Sequence, residues 1–210
     1  HQDSYVSGTV RIGPPDGFGI GFLAARLGAL DAKHPNLKIE LVPVPRSFSL
    51  SQREADIAVM VGRPDKGRLV VRKLVDYSLG LYAAKSYLDQ AGRPQSRNDL
   101  ADHKLIGFVD DLIYAPSLDY VQEFYRGWRS SVAVSSATGQ VEAAKGGAGI
   151  AILHDYLVLP ESGLEPVLPD LKITRSYWLA VHESQRNLAR IAAVNDFLIE
   201  IVGKERNLFA

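Results

Sequence analysis

The stretch GTVRIGPPDGFGIGFLAARLGALDAKHPNLKIELVPV, running from Gly8 to Val44, decides the fold class. Val10 and Ile12 alternate with Thr9 and Arg11, the period-two pattern of a strand whose two faces differ. A Pro14-Pro15-Asp16-Gly17 turn follows. Ile20, Leu23, Ala24, Leu27 and Leu30 then recur at helical spacing. His34-Pro35 ends that run, because a residue ahead of proline is pushed out of the α region. Leu37, Ile39 and Leu41 alternate with Lys38 and Glu40 as a second strand. Strand, helix and strand in this order predict a right-handed crossover between parallel strands. Ligands of open parallel sheets sit beyond the carboxyl ends of the strands. The loops at 14–19 and 45–49 are therefore expected on the functional side.

The chain has 210 residues, 46% hydrophobic and 23% charged, with 24 basic and 24 acidic side chains. This composition predicts a globular α/β protein of one large domain or two lobes of about 100 residues. A zero formal charge argues against nucleic-acid binding by these residues themselves, since such domains carry a basic excess. The absence of cysteine excludes a disulfide scaffold, a thiolate nucleophile and a cysteine metal site, and fits a reducing cytoplasm. No apolar run approaches a membrane span, and no signal peptide is recognisable. His1-Gln2-Asp3-Ser4 reads as a linker, so an excised domain is expected.

Further along, Ser47–Glu54 reads as a short helix and Asp56–Val61 as a buried strand ending at Gly62-Arg63-Pro64. Leu69–Val75 and Leu79–Ala84 read as strands, and Lys85 opens a helix that ends near Gly92. A short helix is expected around Arg97–Ala101, then a strand at Leu105–Val109 closed by Asp110-Asp111. Leu118–Trp128 has the spacing of an amphipathic helix. Ser131–Ser135 is a strand, Thr138–Lys145 a helix and Ile150–Leu153 a strand. Gly163–Ile173 is a proline-broken connection, Ser176–His182 a strand and Leu188–Val202 a closing helix. Two βα series thus follow one another, with a strand and a helix left over to complete the first. The expected lobes are 1–83 with 179–210, and 84–178. Hinge strands fall near Tyr82–Lys85 and Trp178–Val181.

With these segments in place, the chain resembles the effector-binding domain of the LysR-type transcriptional regulators. The resemblance is carried by Gly8–Gly13 (GTVRIG), Leu50–Ala58 (LSQREADIA), Gly62–Pro64 (GRP), Gly80–Leu88 (GLYAAKSYL), Val141–Leu153 (VEAAKGGAGIAIL) and Tyr177–His182 (YWLAVH). Each motif is short and apolar; their order and spacing across nearly the whole chain is the specific signal. The resemblance implies a two-lobed periplasmic-binding-protein type 2 fold with a small-molecule cleft between the lobes. It also implies a cytoplasmic, non-catalytic regulator whose winged helix-turn-helix domain precedes these residues, so that DNA is met only through that domain. It implies an antiparallel homodimer as well, assembled into a tetramer in the full protein. The alternative of the same fold is a periplasmic solute-binding protein. A small-molecule enzyme is a third class.

Motifs of other chemistries are weaker. Gly17-Phe-Gly-Ile-Gly21 follows a strand, but Phe22 stands where a dinucleotide loop needs its third glycine, and no acidic residue closes the second strand. Gly146–Gly149 lies after a helix, where glycine serves as a C-cap. The histidines show no metal-ligand spacing, and no G-x-S-x-G elbow is present. No cofactor or metal is expected. Asp110-Asp111 could serve acid–base chemistry but equally closes a strand-end turn.

The expected effector-binding residues lie at strand ends. Pro15 and Asp16 occupy the loop where the resemblance implies a hydroxyl for an anionic effector, and an aspartate there repels an anion. Phe18, Phe48 and Phe108 supply aromatic walls for a compact, partly apolar ligand. Ser49 belongs to the second loop. Arg63 either reaches the cleft, holding an acidic ligand group, or pairs with Asp65. Asp16 and Asp110 would then select a second, hydroxyl or amino, function on the same ligand. Ser135, Ser136 and Thr138 are donors at a helix start, or plain N-caps. A small organic acid is the expected effector. Phe22, Arg26, Ala29 and Lys33 are expected on the solvent side of the first helix as a dimer face, with Tyr120 and Tyr125 flanking its counterpart.

Overall fold

A computed structural model describes residues 6–65 and 67–210, and the remaining residues, His1-Gln2-Asp3-Ser4 among them, lie outside it. By internal contacts the chain divides into two compact units. The first comprises residues up to Asp76 together with Ser176–Asn207, and the second Tyr77–Arg175 with Leu208–Ala210. The sequence places these breaks at 83/84 and 178/179; the contacts place them at 76/77 and 175/176, with the last three residues in the second unit.

In the first unit, β1 (Gly8–Gly13) pairs in parallel with β2 (Leu37–Leu41), Val10 opposite Ile39, and with β3 (Ile57–Met60), Ile12 opposite Ile57. β3 in turn pairs antiparallel with the far end of β8 (Leu164–His182), Ala58 opposite Ala180. Between β1 and β2 runs a helical segment of changing pitch. It begins as α1 (Asp16–Phe18), widens to a π turn over Gly19–Leu23, tightens to a 3-10 turn over Ala24–Arg26 and ends as α2 (Leu27–Lys33). His34 caps α2 outside the helical region, ahead of Pro35, as the proline rule requires.

The π turn rewrites the helix face. Its closing bond runs from the Ala24 amide to the Gly19 carbonyl, one residue longer than an α turn. The extra residue rotates Phe22 inward to full burial and leaves Ile20 54% exposed. A constant period of 3.6 puts these two residues the other way round, so Phe22 is not part of an outward dimer face. Gly19 permits the wide turn by close approach: a Cβ there would lie 2.6 Å from Pro43 Cβ and 2.8 Å from Pro14 Cγ. Phe22 packs on Phe18, and Phe18 meets Tyr177 edge-on at 5.2 Å. Arg26 lies over the Phe22 ring at 3.8 Å and forks onto Glu205 with bonds of 2.5 and 2.6 Å. α6 (Ala189–Lys204) buries Ile191, Val194 and Leu198 in the same unit.

The second unit is built around β7 (Ile150–His154). β4 (Leu69–Ala84) pairs with it antiparallel, Leu81 opposite Ile152, and β5 (Leu105–Gly107) pairs in parallel, Ile106 opposite Ala151. β6 (Val132–Ala133) extends β5 in parallel. α5 (Ala137–Lys145) lays Val141 and Ala144 on Tyr82, Ile106, Ala151 and Leu153 to form its core. α3 (Lys85–Ala91) follows β4 directly.

A polar cluster ties these strands together. Asp155 accepts hydrogen bonds from Ser78 Oγ at 2.5 Å, from Lys172 Nζ at 2.6 Å and from the Tyr82 hydroxyl. Gly80 makes room for the lysine, whose Nζ would lie 2.4 Å from a Cβ there. Burial works against the Asp155 charge. The Lys172 ammonium and the two hydroxyl donors outweigh it and hold the carboxyl below its usual range.

Several sequence expectations change form. Leu69–Val75 and Leu79–Ala84 are one 16-residue strand, and Gly163–Ile173 lies almost wholly within the 19-residue β8, its prolines tolerated beside the positive φ of Leu168. Ser47–Glu54 makes no helix. Its Ser49 amide is bound by the Glu54 carboxylate at 2.7 Å, and Arg53 takes φ 57°, which closes a turn. Leu118–Trp128 contains only the single turn α4 (Val121–Phe124). Tyr125 is already extended, and its ring occupies the space above Gly127, where a Cβ would meet the hydroxyl at 2.5 Å.

Candidate functional site

The carboxyl end of β5 opens into a cavity of about 780 Å³ that lies wholly within the second unit. Its floor is apolar, from Ile106 and Ile152 on the strands, and Leu118 and Val121 close one side. Phe108, Tyr120 and Trp128 add aromatic surface. An apolar cavity of several hundred Å³ with a few polar groups is the usual form of a small-molecule site.

The wall beside β5 depends on Gly107. The buried Trp128 indole N–H donates to Ser130 Oγ at 3.1 Å, and that hydroxyl lies 2.1 Å from where a Gly107 Cβ would stand. Any side chain at 107 would displace this pair. Opposite, Gln140 is 5% exposed, lines the cavity and donates from Nε2 to the Val134 carbonyl at 3.1 Å. Since that carbonyl can only accept, the bond fixes the orientation of the amide and leaves Oε1 as the other terminus. The charged lining consists of Asp110, Asp111, Asp119 and Arg129, all of them exposed at the rim, and no ion pair or side-chain hydrogen bond joins any of them to the described residues. Among the described residues, no three acidic or histidine groups come together closely enough to hold a metal ion.

Of the residues expected to touch an effector, this cavity gathers Phe108 and Asp110. Ser136 is the N-cap of α5, its Oγ accepting from the Gly139 amide at 3.0 Å and sharing a bond with Thr138 Oγ1 at 3.0 Å. Ser135 is half-buried just before it. None of these three hydroxyl residues lines the cavity. In the first unit, Pro15 and Asp16 are buried at the start of α1 and Phe18 is fully buried in the core. Phe48 is 7% exposed in a cluster with Leu50, Ala55, Ala58 and Ala180, under the Arg46 guanidinium. Ser49 Oγ accepts from the Gln52 amide in the turn. Arg63 is exposed and stacks over the Trp178 ring, 5.3 Å from its centroid.

Sequence reasoning missed Trp128, Arg129, Gln140 and Gly107. Reading Leu118–Trp128 as one helix hid the turn at Gly127 that brings Trp128 and Arg129 to the end of β5. A second cavity, of about 500 Å³, lies between Arg93–Arg97 and Pro166–Leu171. Its Arg93 is already held by Glu165 and Asp89, so it is the poorer site for a charged ligand.

Residues 4–202 match the model of the LysR substrate binding domain. The chain belongs to this family. It is 28% identical over 205 residues to the HTH-type transcriptional regulator CrgA of Neisseria meningitidis, covering 93% of this chain and 68% of that protein. It is also 28% identical over 198 residues to an uncharacterised HTH-type transcriptional regulator of Haemophilus influenzae, covering 88% and 66%. The LysR domain here therefore spans 66–68% of the length of these two relatives. The CrgA regulatory domain superposes with a TM-score of 0.83 at 25% identity, over 94% of this chain and 100% of that one. The effector domain of AmpR of Pseudomonas aeruginosa shares the fold, with a TM-score of 0.76 at 19% identity over 95% and 98%. The fold is the two-lobed, type 2 periplasmic-binding-like fold of LysR regulatory domains. Both relatives are HTH-type transcriptional regulators. Among the described residues, no helix is long and apolar enough to cross a membrane.

Proposed function

We propose that this LysR domain senses a small organic molecule bound in the cavity at the carboxyl end of β5, in a cytoplasmic transcription regulator. The observation that carries the reading is the joint lining by aromatic rings, a buried amide and charged side chains that engage no other described residue. A ligand that meets these groups and favours one conformation of the regulator shifts its population. The full protein acts on DNA through a separate helix-turn-helix domain and as a homodimer or tetramer.

A screen of small organic molecules by thermal shift tests this. Binders should raise the melting temperature of the wild type and have at least tenfold weaker affinity for Ala133→Phe, because that ring intrudes on the cavity. Binders equally tight for both proteins would place the ligand elsewhere.

A further inference from the structure

Four features of the cavity together define what it takes. The first is charge. Asp110, Asp111 and Asp119 set three carboxylates against the single guanidinium of Arg129, and all four engage no other described residue. The second is the Gln140 amide, 95% buried by the 5% exposure of its residue, with Nε2 consumed by the Val134 carbonyl. Its Oε1 has no partner among the described residues and can only accept. The third is the aromatic surface of Phe108, Tyr120 and Trp128. The fourth is that no three of the acidic groups converge closely enough for a metal ion. A ligand must therefore bring hydrogen-bond donors and positive charge on an apolar body.

We infer that the effector is an organic amine, a compact apolar or aromatic skeleton bearing a protonated nitrogen. An ammonium supplies donors to Gln140 Oε1 and a charge to the carboxylates, and aromatic faces attract cations as well. A ligand carboxylate would meet one cation and three anions. The acidic effector expected from the sequence depended on Arg63, which lies over Trp178 in the first unit. This inference rests on the cavity being the effector site.

The test uses three probes of one skeleton, 2-phenylethylamine, 2-phenylethanol and 3-phenylpropionate, titrated calorimetrically against the wild-type protein. The amine should bind about tenfold more tightly than the alcohol, the size of one partly screened charge interaction, and the acid most weakly. The triple variant Asp110→Asn, Asp111→Asn, Asp119→Asn, which removes no bond made to described residues, should bring amine and alcohol within about threefold of each other. Equal or tighter binding of the acid, or no measurable binding of the amine, would overturn the amine inference. In the former case, binding lost in Ala133→Phe would leave the cavity as the site. An amine preference unchanged in Ala133→Phe would overturn both readings.

Discussion

Replacing Gly107 with alanine probes the wall of the proposed site at its tightest point. The new Cβ would stand 2.1 Å from Ser130 Oγ, 3.3 Å from Ser130 Cβ and 3.5 Å from Trp128 Nε1. The Ser130 hydroxyl sits on a single rotor and is the group that gives way. Its departure strands the indole N–H of Trp128, a residue only 8% exposed. A buried donor left without a partner costs about 1–3 kcal/mol. Against this, alanine in place of glycine in a strand gains about 0.5–1 kcal/mol from the unfolded state. The net expectation is a loss of about 0–2.5 kcal/mol, or up to roughly 10 °C of melting temperature for a domain of this size. In a Ser130→Ala background the indole is already unpaired and the 2.1 Å clash is gone, leaving the 3.3 Å Cβ contact to relax by a few tenths of an ångström. Gly107→Ala should then cost no more than about 0.5 kcal/mol. A double-mutant cycle by urea unfolding reads this difference directly. Equal costs in the two backgrounds would refute the account of how Gly107, Trp128 and Ser130 shape the wall.

The π turn predicts opposite fates for two neighbours: Phe22→Ala should cost about 3–5 kcal/mol in unfolding experiments and Ile20→Ala less than about 0.5 kcal/mol. Reversed values would restore a regular helix there. Asp155→Asn should cost about 1–2 kcal/mol at neutral pH, reduced by partial exposure of the pair. Because the folded carboxyl titrates below its unfolded value, that stabilisation is present above about pH 3.9 and is lost as pH falls through the folded pKa. The gap between wild type and variant should therefore close in acid; a constant gap would mean that Asp155 carries no charge-dependent stability. Arg26→Ala should lose about 1–2 kcal/mol through the Glu205 fork and the stacked Phe22 ring. A change below about 0.3 kcal/mol would show the contact to be a surface pair of no consequence.

The sequence was most legible where periodicity was simple. The alternation around Val10 and Ile39 locates β1 and β2, and the proline after His34 locates the end of α2. Legibility failed where local geometry changed the period. Gly19–Leu23 reads as helix in any window, yet widening by one residue exchanges Ile20 for Phe22 in the core. Leu118–Trp128 has a helical apolar spacing, but Tyr125 folding over Gly127 stops the helix after one turn. The candidate site was legible in Phe108 and Asp110, because a strand end predicts its own loop. Trp128, Arg129 and Gln140 come from segments about 20 to 35 residues later, and only tertiary packing brings them to β5. Phe18 and Phe48 show the converse case. A position near a strand end does not fix the direction of a side chain, and both rings turn into the core.

Trp128 can report whether a small molecule occupies the cavity at the end of β5. The protein has two tryptophans, so Trp178→Phe leaves Trp128 as the single indole. Titrating that protein with 2-phenylethylamine, 2-phenylethanol and 3-phenylpropionate should give, for at least one probe, a saturable change in Trp128 emission. The affinity should match that found by calorimetry, and the change should be suppressed in the additional presence of Ala133→Phe. Flat emission while calorimetry still records binding, or a response undiminished by Ala133→Phe, would contradict the assignment of this cavity as the effector site.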